Sequence, residues 1–311
     1  MTSSPYVINS DLDPSTGLPC SDADRASGDS PIGSGTPFDS FLLLDYRAPW
    51  GRAAADDAVR DRLSPATARF VTDQPRLRAF AIRPVRDRRE TPVHLPAFGL
   101  VGQSAAMVTL PSDADSEDFA AAGDLLRRAQ SATRPTVEDI VIGVCTNAKR
   151  DRCCAVRGRP VAIALSNEFG EHITEISHLG GHRFAATMLV LPTGYIYGFL
   201  APDSAAEAVR AAMDGLVHPA NLRGRADLSP AAQAADCYWR AQLGPAPLDT
   251  VQITAENSAD SVGQADSTLV TAIVQGTGAR VQVRYEPGAQ IAETLCGGKP
   301  INTGRWVVED A

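Results

Sequence analysis

The sequence lacks the features that mark membrane and secreted proteins. Its longest apolar stretch, 187–201, is broken by Pro192 and Gly194 and is shorter than the roughly 20 residues that a bilayer-spanning helix needs. The N-terminus M-T-S-S-P-Y has no basic segment followed by an apolar core, which argues against a secretory signal. The sequence therefore predicts a cytoplasmic protein that makes no contact with a membrane.

Positive charge is also in short supply. The chain has 29 Lys and Arg against 37 Asp and Glu, a net charge of -8. Proteins that bind nucleic acids generally carry a basic surface that displaces the counterions of the phosphates. We therefore expect no nucleic-acid partner.

No C-x-x-C pair occurs among the six cysteines, so the usual thiol-redox motif is missing. In a reducing compartment, a tight group of cysteines indicates metal binding or reactivity more often than disulfides. Such a group lies near the middle of the chain. The cysteines are at positions 20, 145, 153, 154, 237 and 296.

With 311 residues, of which 44% are hydrophobic, the chain is long enough for two domains or for one domain with extensions. Residues 1–35 are mostly Ser, Asp, Gly, Pro and Thr, a composition that predicts a disordered tail. We expect an N-terminal α/β domain at 36–135, a second α/β domain at 136–216, and a helix with a small mostly-β extension at 217–311.

The two predicted α/β domains repeat one order of elements: strand, helix, strand, hairpin, helix. This is the order of a thioredoxin-like unit, so the halves are interpreted as a divergent duplication in which only the second keeps its ligands. In that half the elements are a strand at 139–144, a helix at Arg152–Glu168, a strand at 172–177, a hairpin at 187–200 and a helix at 203–215.

The first chemical motif is C-T-N-A-K-R-D-R-C-C at 145–154. Cys145 follows a buried strand, where α/β folds place ligand groups, and Cys153 and Cys154 fall in the first turn of the next helix. The helix dipole and nearby cations favour the thiolate that binds iron or zinc. Adjacent helical residues point about 100° apart, so one of the vicinal pair is expected to ligate.

The second motif is H-L-G-G-H at 178–182, directly after a strand. Gly180 and Gly181 allow positive φ angles, so the loop can fold closely around a bound group. Two cysteines with His178 and His182 suit tetrahedral zinc as well as iron.

The spacing C-x8-C followed by H-x-G-G-H resembles the sucrase/ferredoxin-like family, a branch of the thioredoxin-like ferredoxins. The flanking text is similar too, and the likeness runs from about residue 36 to 200. The matching segments are K-R-D-R-C-C-A-V-R-G-R-P (149–160), H-L-G-G-H-R-F-A-A-T-M-L-V-L-P-x-G (178–194), and F-D-S-F-L-L-L with P-W-G within 38–51.

The resemblance implies one [2Fe–2S] cluster, with Cys145 and Cys154 on one iron and His178 and His182 on the other. The family spacing selects Cys154 over Cys153. The implied function is electron transfer with an unidentified reductase or acceptor, not enzymatic turnover. Histidine ligation raises the potential relative to four-cysteine ferredoxins and can couple reduction to proton uptake.

There are two alternatives: a structural zinc site that uses the same two cysteines and two histidines, and a thiol-redox protein that uses Cys145 or the vicinal pair Cys153 and Cys154. The basic residues beside the cysteines either compensate the charge of a reduced cluster, meet an acidic redox partner, or form an ordinary solvated helix start. These residues are Lys149, Arg150, Arg152, Arg157 and Arg159.

Overall fold

The computed structural model describes residues 20–86, 96–129, 139–258, 267–291 and 301–311. In these ranges the chain is a mixed α/β protein with one large curled sheet and a small antiparallel sheet at the C-terminal end. None of the helices described there is long and apolar enough to cross a membrane.

The described ranges contain seven α-helices and fifteen strands. The helices are α1 (Cys20–Ala26), α2 (Ala54–Arg62), α3 (Pro65–Asp73), α4 (Ser116–Ala129), α5 (Arg152–Phe169), α6 (Pro202–Met213) and α7 (Pro230–Leu243). The strands are β1 (Ser40–Asp45), β2 (Leu77–Pro84), β3 (Ala97–Leu100), β4 (Ala106–Thr109), β5 (Val141–Cys145), β6 (Ile173–Ile176), β7 (Met188–Leu191), β8 (Tyr195–Tyr197), β9 (Leu216–Val217), β10 (Leu222–Arg225), β11 (Ala246–Pro247), β12 (Val251–Ser258), β13 (Ser267–Val274), β14 (Thr277–Ile291) and β15 (Ile301–Asp310).

The large sheet has nine strands in the order β10-β8-β7-β5-β6-β2-β1-β3-β4. In the first half β1 pairs with β2 in parallel and with β3 antiparallel, and β4 follows β3 antiparallel. In the second half β5 pairs with β6 in parallel and with β7 antiparallel, and β8 follows β7 antiparallel. Both halves therefore have the same strand order and the same strand directions.

The halves join edge to edge through an antiparallel pairing of β2 with β6. Arg83 lies opposite Glu175 in this pairing, and Glu175 is fully buried and bonded to both Arg83 and Arg159. One continuous sheet thus crosses the boundary predicted between residues 135 and 136.

Several helices begin at residues whose side chains cap the backbone. Ser64 accepts a hydrogen bond from Thr67 N at the start of α3, and Ser229 accepts one from Ala232 N at the start of α7. Asp151 accepts one from Cys153 N at the start of α5. This last cap fixes the helix turn that carries the vicinal cysteines.

Three elements differ from the sequence-based expectations. The polar, Ala-rich stretch 53–72 predicts one helix, but it forms two, because Ser64 and Pro65 begin a new one. The basic-leaning stretch 217–227 predicts a linker, but it contains β10, which extends the large sheet beside β8. Composition predicted disorder through residue 35, whereas the structure has α1 at Cys20–Ala26 and a packed segment after it; residues 1–19 lie outside the described part.

Apolar residues pack on both faces of the sheet. Helices α2 and α4 cover one face of the first half, and α5 and α6 cover one face of the second. A further cluster includes Phe41 and Phe80 from the first half together with Ile176, Cys145 and Cys154 from the second. The two cysteines are therefore part of the core that both halves share.

The small antiparallel sheet has the order β12-β13-β14-β15 and packs against α7 through Trp239 and Val251. This confirms the predicted C-terminal extension of one helix and several strands. Cys237 of α7 is buried in the apolar core of the second half.

Candidate metal centre

Cys145 and Cys154 approach each other because a strand end meets the start of a helix. Cys145 is the last residue of β5, and its backbone N donates to Thr187 O. Gly158 of α5 lies so close to this strand end that a Cβ there would collide with the carbonyl oxygen of Cys145. The glycine permits the close helix–strand approach that brings Cys154 to Cys145.

His178 completes a group of three donors. The Sγ atoms of Cys145 and Cys154 and a ring nitrogen of His178 all lie within 4.8 Å of one another. The distance from Cys154 Sγ to His178 Nδ1 is 3.6 Å, and both cysteines are 1% exposed. This arrangement of two buried thiols and one imidazole could hold a metal ion.

The two thiols differ in their tendency to ionise. A hydrogen bond with Cys154 holds the pKa of the Cys145 thiol well below its ordinary value, and His178 acts in the same direction. The N–H of Leu179 also donates to Cys145 and lowers its pKa. The hydrogen bond with Cys145 and burial both raise the pKa of Cys154. One thiolate is therefore already favoured before any metal binds.

The histidine loop, residues 178–182, is shaped by its two glycines. Gly180 has φ +84° and Gly181 φ +64°, as predicted. A Cβ on Gly180 would collide with Thr36, and a Cβ on Gly181 would collide with the guanidinium of Arg223. The glycines make room for these two neighbours, and Leu179 supplies the backbone N–H that points to the cysteines.

His182 does not join the three donors. Its ring centroid is 6.2 Å from that of His178, and its Nε2 lies 3.4 Å from Asp151 Oδ2. The His182 side chain is 38% exposed, so it lies at the outer edge of the site. Of the four ligands implied by the resemblance, the structure thus brings three together and leaves the fourth beside Asp151.

The sequence matches one protein family. The sucrase/ferredoxin-like family covers residues 31–224, which is more than half of the chain and includes all of the residues above. The chain belongs to the sucrase/ferredoxin-like family. No curated protein and no solved structure matches it.

In this sucrase/ferredoxin-like protein, Cys145, Cys154 and His178 form a donor set that is chemically suited to a metal ion. Two thiolates with imidazole are ligands that iron and zinc both accept. Cys153 is buried at the same helix start but is not part of the three-residue group. Cys296 and His94 lie outside the described residues, as does the side chain of Cys20.

The segment after α1 and the end of the chain cover the histidine loop. Thr36 Oγ1 donates to Leu179 O, and Arg183 pairs with Asp29 at 2.6 Å and donates to Asn302 O. Asp24 of α1 lies 3.6 Å from Arg183, and burial raises its pKa to about 7. The polar composition of the segment after α1 resembles that of a disordered tail, so the sequence did not predict this cover.

The basic segment beside the cysteines is divided in the folded chain. Arg157 pairs with Asp22, and Arg159 bonds Glu175. The remaining three, Lys149, Arg150 and Arg152, are exposed next to the helix start. The positive surface predicted over 149–159 is therefore formed by these three residues.

Proposed function

We propose that the chain is an electron carrier that holds one [2Fe–2S] cluster through Cys145, Cys154, His178 and His182. The observation that carries the proposal is the convergence of three of these side chains in a member of the sucrase/ferredoxin-like family. Such a cluster, when bound, passes one electron at a time.

The chain's own residues would prepare the site for this group. Leu179 N–H would bond a cysteine sulfur, and hydrogen bonds to sulfur are among the features that set cluster potentials. His182 would exchange Asp151 for an iron and, being exposed, would keep its second ring nitrogen within reach of water. Reduction would then be coupled to proton uptake.

The proton coupling has a direct test. If reduction takes up a proton, the midpoint potential should fall as the pH rises. A potential that stays flat between about pH 6 and 10 would reject the coupling while leaving the electron carrier itself in place.

We also propose that each half of the large sheet is a thioredoxin-like unit and that the two arose by duplication. The identical strand order and directions of the halves support this. On this proposal only the second half keeps metal ligands, at the end of β5 and in the loop after β6.

The carrier is proposed to act in the cytoplasm with a separate reductase or acceptor protein, and to catalyse no turnover alone. The exposed Lys149, Arg150 and Arg152 form a local positive surface on an otherwise acidic chain and support an acidic surface on that partner, because opposite charges speed encounter.

A structural zinc site is the second candidate. Three donors within 4.8 Å suit a single tetrahedral ion, and this favours zinc as much as it favours iron. A thiol-redox role has weaker support: the Cys145–Cys154 hydrogen bond brings two thiols together, but they are spaced unlike C-x-x-C.

One experiment separates these functions. The full chain is purified without oxygen, and its iron, zinc and sulfide contents, absorption spectrum and EPR spectrum after dithionite reduction are measured. Two irons and two sulfides with an EPR signal on reduction support the carrier. A colourless protein with one zinc per chain would reject the carrier and support the structural zinc site. A metal-free protein with an oxidisable cysteine pair would support the thiol-redox role.

A further inference from the structure

Arg223 of β10 is a buried cation beneath the histidine loop. It is 1% exposed, and its guanidinium donates to Gly180 O at 3.0 Å and to Ser34 Oγ at 3.1 Å. The same group lies 5.4 Å from the centre of the Phe184 ring. Among the residues that the structure describes, its hydrogen-bond acceptors are neutral and it forms no ion pair with a carboxylate.

A buried charge without an opposite charge is costly, so an anion is expected nearby. Two other buried arginines of this chain each have a carboxylate as the neighbouring anion. Arg225, two residues along the same strand, pairs with Asp227 at 2.6 Å, and Arg240 of α7 pairs with Asp236 at 3.2 Å. Arg223 differs from both, because its hydrogen bonds run to Ser34 and to Gly180 O in the loop that carries His178.

Of the two thiols, Cys145 is the more readily ionised, and it is the negative group that acts on Arg223. Burial lowers the pKa of Arg223 to about 9, and Cys145 opposes this effect, so the guanidinium stays charged at neutral pH. Arg183 also acts on Arg223, but it is itself paired with Asp29.

Arg78 of β2 is a second cation on the same site. Its Nη2 donates to His178 O at 3.0 Å, and Cys145 is the negative group that acts on it. Arg78 is only partly buried, so its field is more strongly screened than that of Arg223. The two guanidinium groups thus bind the carbonyl oxygens of His178 and Gly180 in the histidine loop, and Cys145 acts on both.

We propose that Arg223, aided by Arg78, supplies the fixed positive charge that stabilises an added electron on the group held by Cys145 and Cys154. This rests on the proposed function. With two thiolates and two neutral imidazoles, an oxidised diferric cluster is formally neutral and its reduction by one electron leaves one negative charge. No bond forms or breaks, and the electron comes from an external one-electron donor such as dithionite.

The test compares R223M, R223K and wild-type full chain by spectroelectrochemical titration, with R225M as the control for loss of a buried arginine. R223M should lower the equilibrium constant for reduction about tenfold, which is about 59 mV for a one-electron couple. R223K should recover more than half of the shift because it restores the charge. R225M should leave the midpoint close to wild type, since Asp227 already compensates that arginine.

R78M keeps the test decisive where R223M cannot assemble a cluster, because Arg78 is partly exposed and easier to replace. R78M should lower the equilibrium constant for reduction about threefold. An unchanged midpoint potential in R78M, or in R223M where that variant assembles a cluster, overturns the proposal. R223M and R225M shifted alike, or R223K shifted as far as R223M, would overturn it too. Failure of the proposed function is a separate outcome, since the wild-type chain would then carry no iron or sulfide.

Discussion

The two halves of the large sheet have the same strand order but opposite chemistry at corresponding strand ends. In the first half β1 ends at Asp45, which is 4% exposed and bonded to Arg47 at 2.8 Å. In the second half β5 ends at Cys145, which faces Cys154 and His178. The shared topology thus provides the location of the strand end, and the side chains at that location decide what the strand end can bind.

The helices that follow these strands differ as well. Helix α2 begins after Ala53, which has no side-chain cap, whereas α5 begins after Asp151, which caps Cys153 N and lies beside His182. The second half therefore has a helix start held at a defined position relative to the strand, as a metal centre requires.

The largest expected effect concerns the two vicinal cysteines at the start of α5. Cys154→Ala should abolish metal binding, because it removes one of the three converged donors. Cys153→Ala should retain the metal, since the neighbouring thiol lies outside that group. Metal content per chain, measured after purification without oxygen, checks both.

Cys153 is buried like Cys154, so the pair controls for loss of a buried thiol. Metal lost from both variants, with both folded by circular dichroism, would show that the vicinal thiols do not have separate roles.

The next prediction concerns Asp24, a buried carboxylate that covers the second half. Its buried counterpart in the first half, Asp45, has a prediction of its own below. Burial raises the pKa of Asp24 to about 7, so the folded state binds its proton more tightly than the unfolded state does. The ionised Asp24 does not destabilise the fold at low pH, and its destabilising effect grows as pH rises from about 4 to 7. Asp24→Asn should therefore stabilise the chain relative to wild type by an amount that increases over this range.

Urea unfolding of wild type and Asp24→Asn at several pH values measures the difference. A difference that stays constant from pH 4 to 8 contradicts the prediction. General acid denaturation does not contribute to this difference, because the two chains measured at each pH have the same titrating groups apart from Asp24.

Asp45→Asn tests whether the strand end of the first half is only structural. The substitution weakens a charged hydrogen-bonded pair with Arg47 and should lower the free energy of unfolding by about 2 kcal/mol. Metal content and the absorption spectrum should not change. Loss of the metal at unchanged fold would mean that the first half contributes directly to the site, and the contrast between the halves would fail.

How far the sequence predicts this molecule depends on the kind of signal. Apolar runs such as Phe41–Leu44 predict β1, and Ser229 with Pro230 predicts the start of α7, because both signals are local. The cysteine and histidine motifs predicted four donors, of which three converge and His182 lies beside Asp151. β10 was missed because its buried Arg223 and Arg225 give it a polar pattern, and only contacts with distant residues explain their burial.

The smallest expected effect concerns the exposed charge beside the site. A K149E/R150E/R152E variant reverses three exposed cations next to Cys153 and His182, whereas R60E/R62E/R69E reverses three exposed arginines of the first half. Oxidation of the reduced protein by anionic ferricyanide should slow about three- to tenfold only in the first variant, because a local field changes the concentration of a charged reactant at the site. Cationic hexaamminecobalt(III) should react faster with that variant, and both differences should shrink at high salt. Equal changes in the two triple variants, measured by stopped flow, would indicate that net charge alone acts and that the second half has no oriented positive surface.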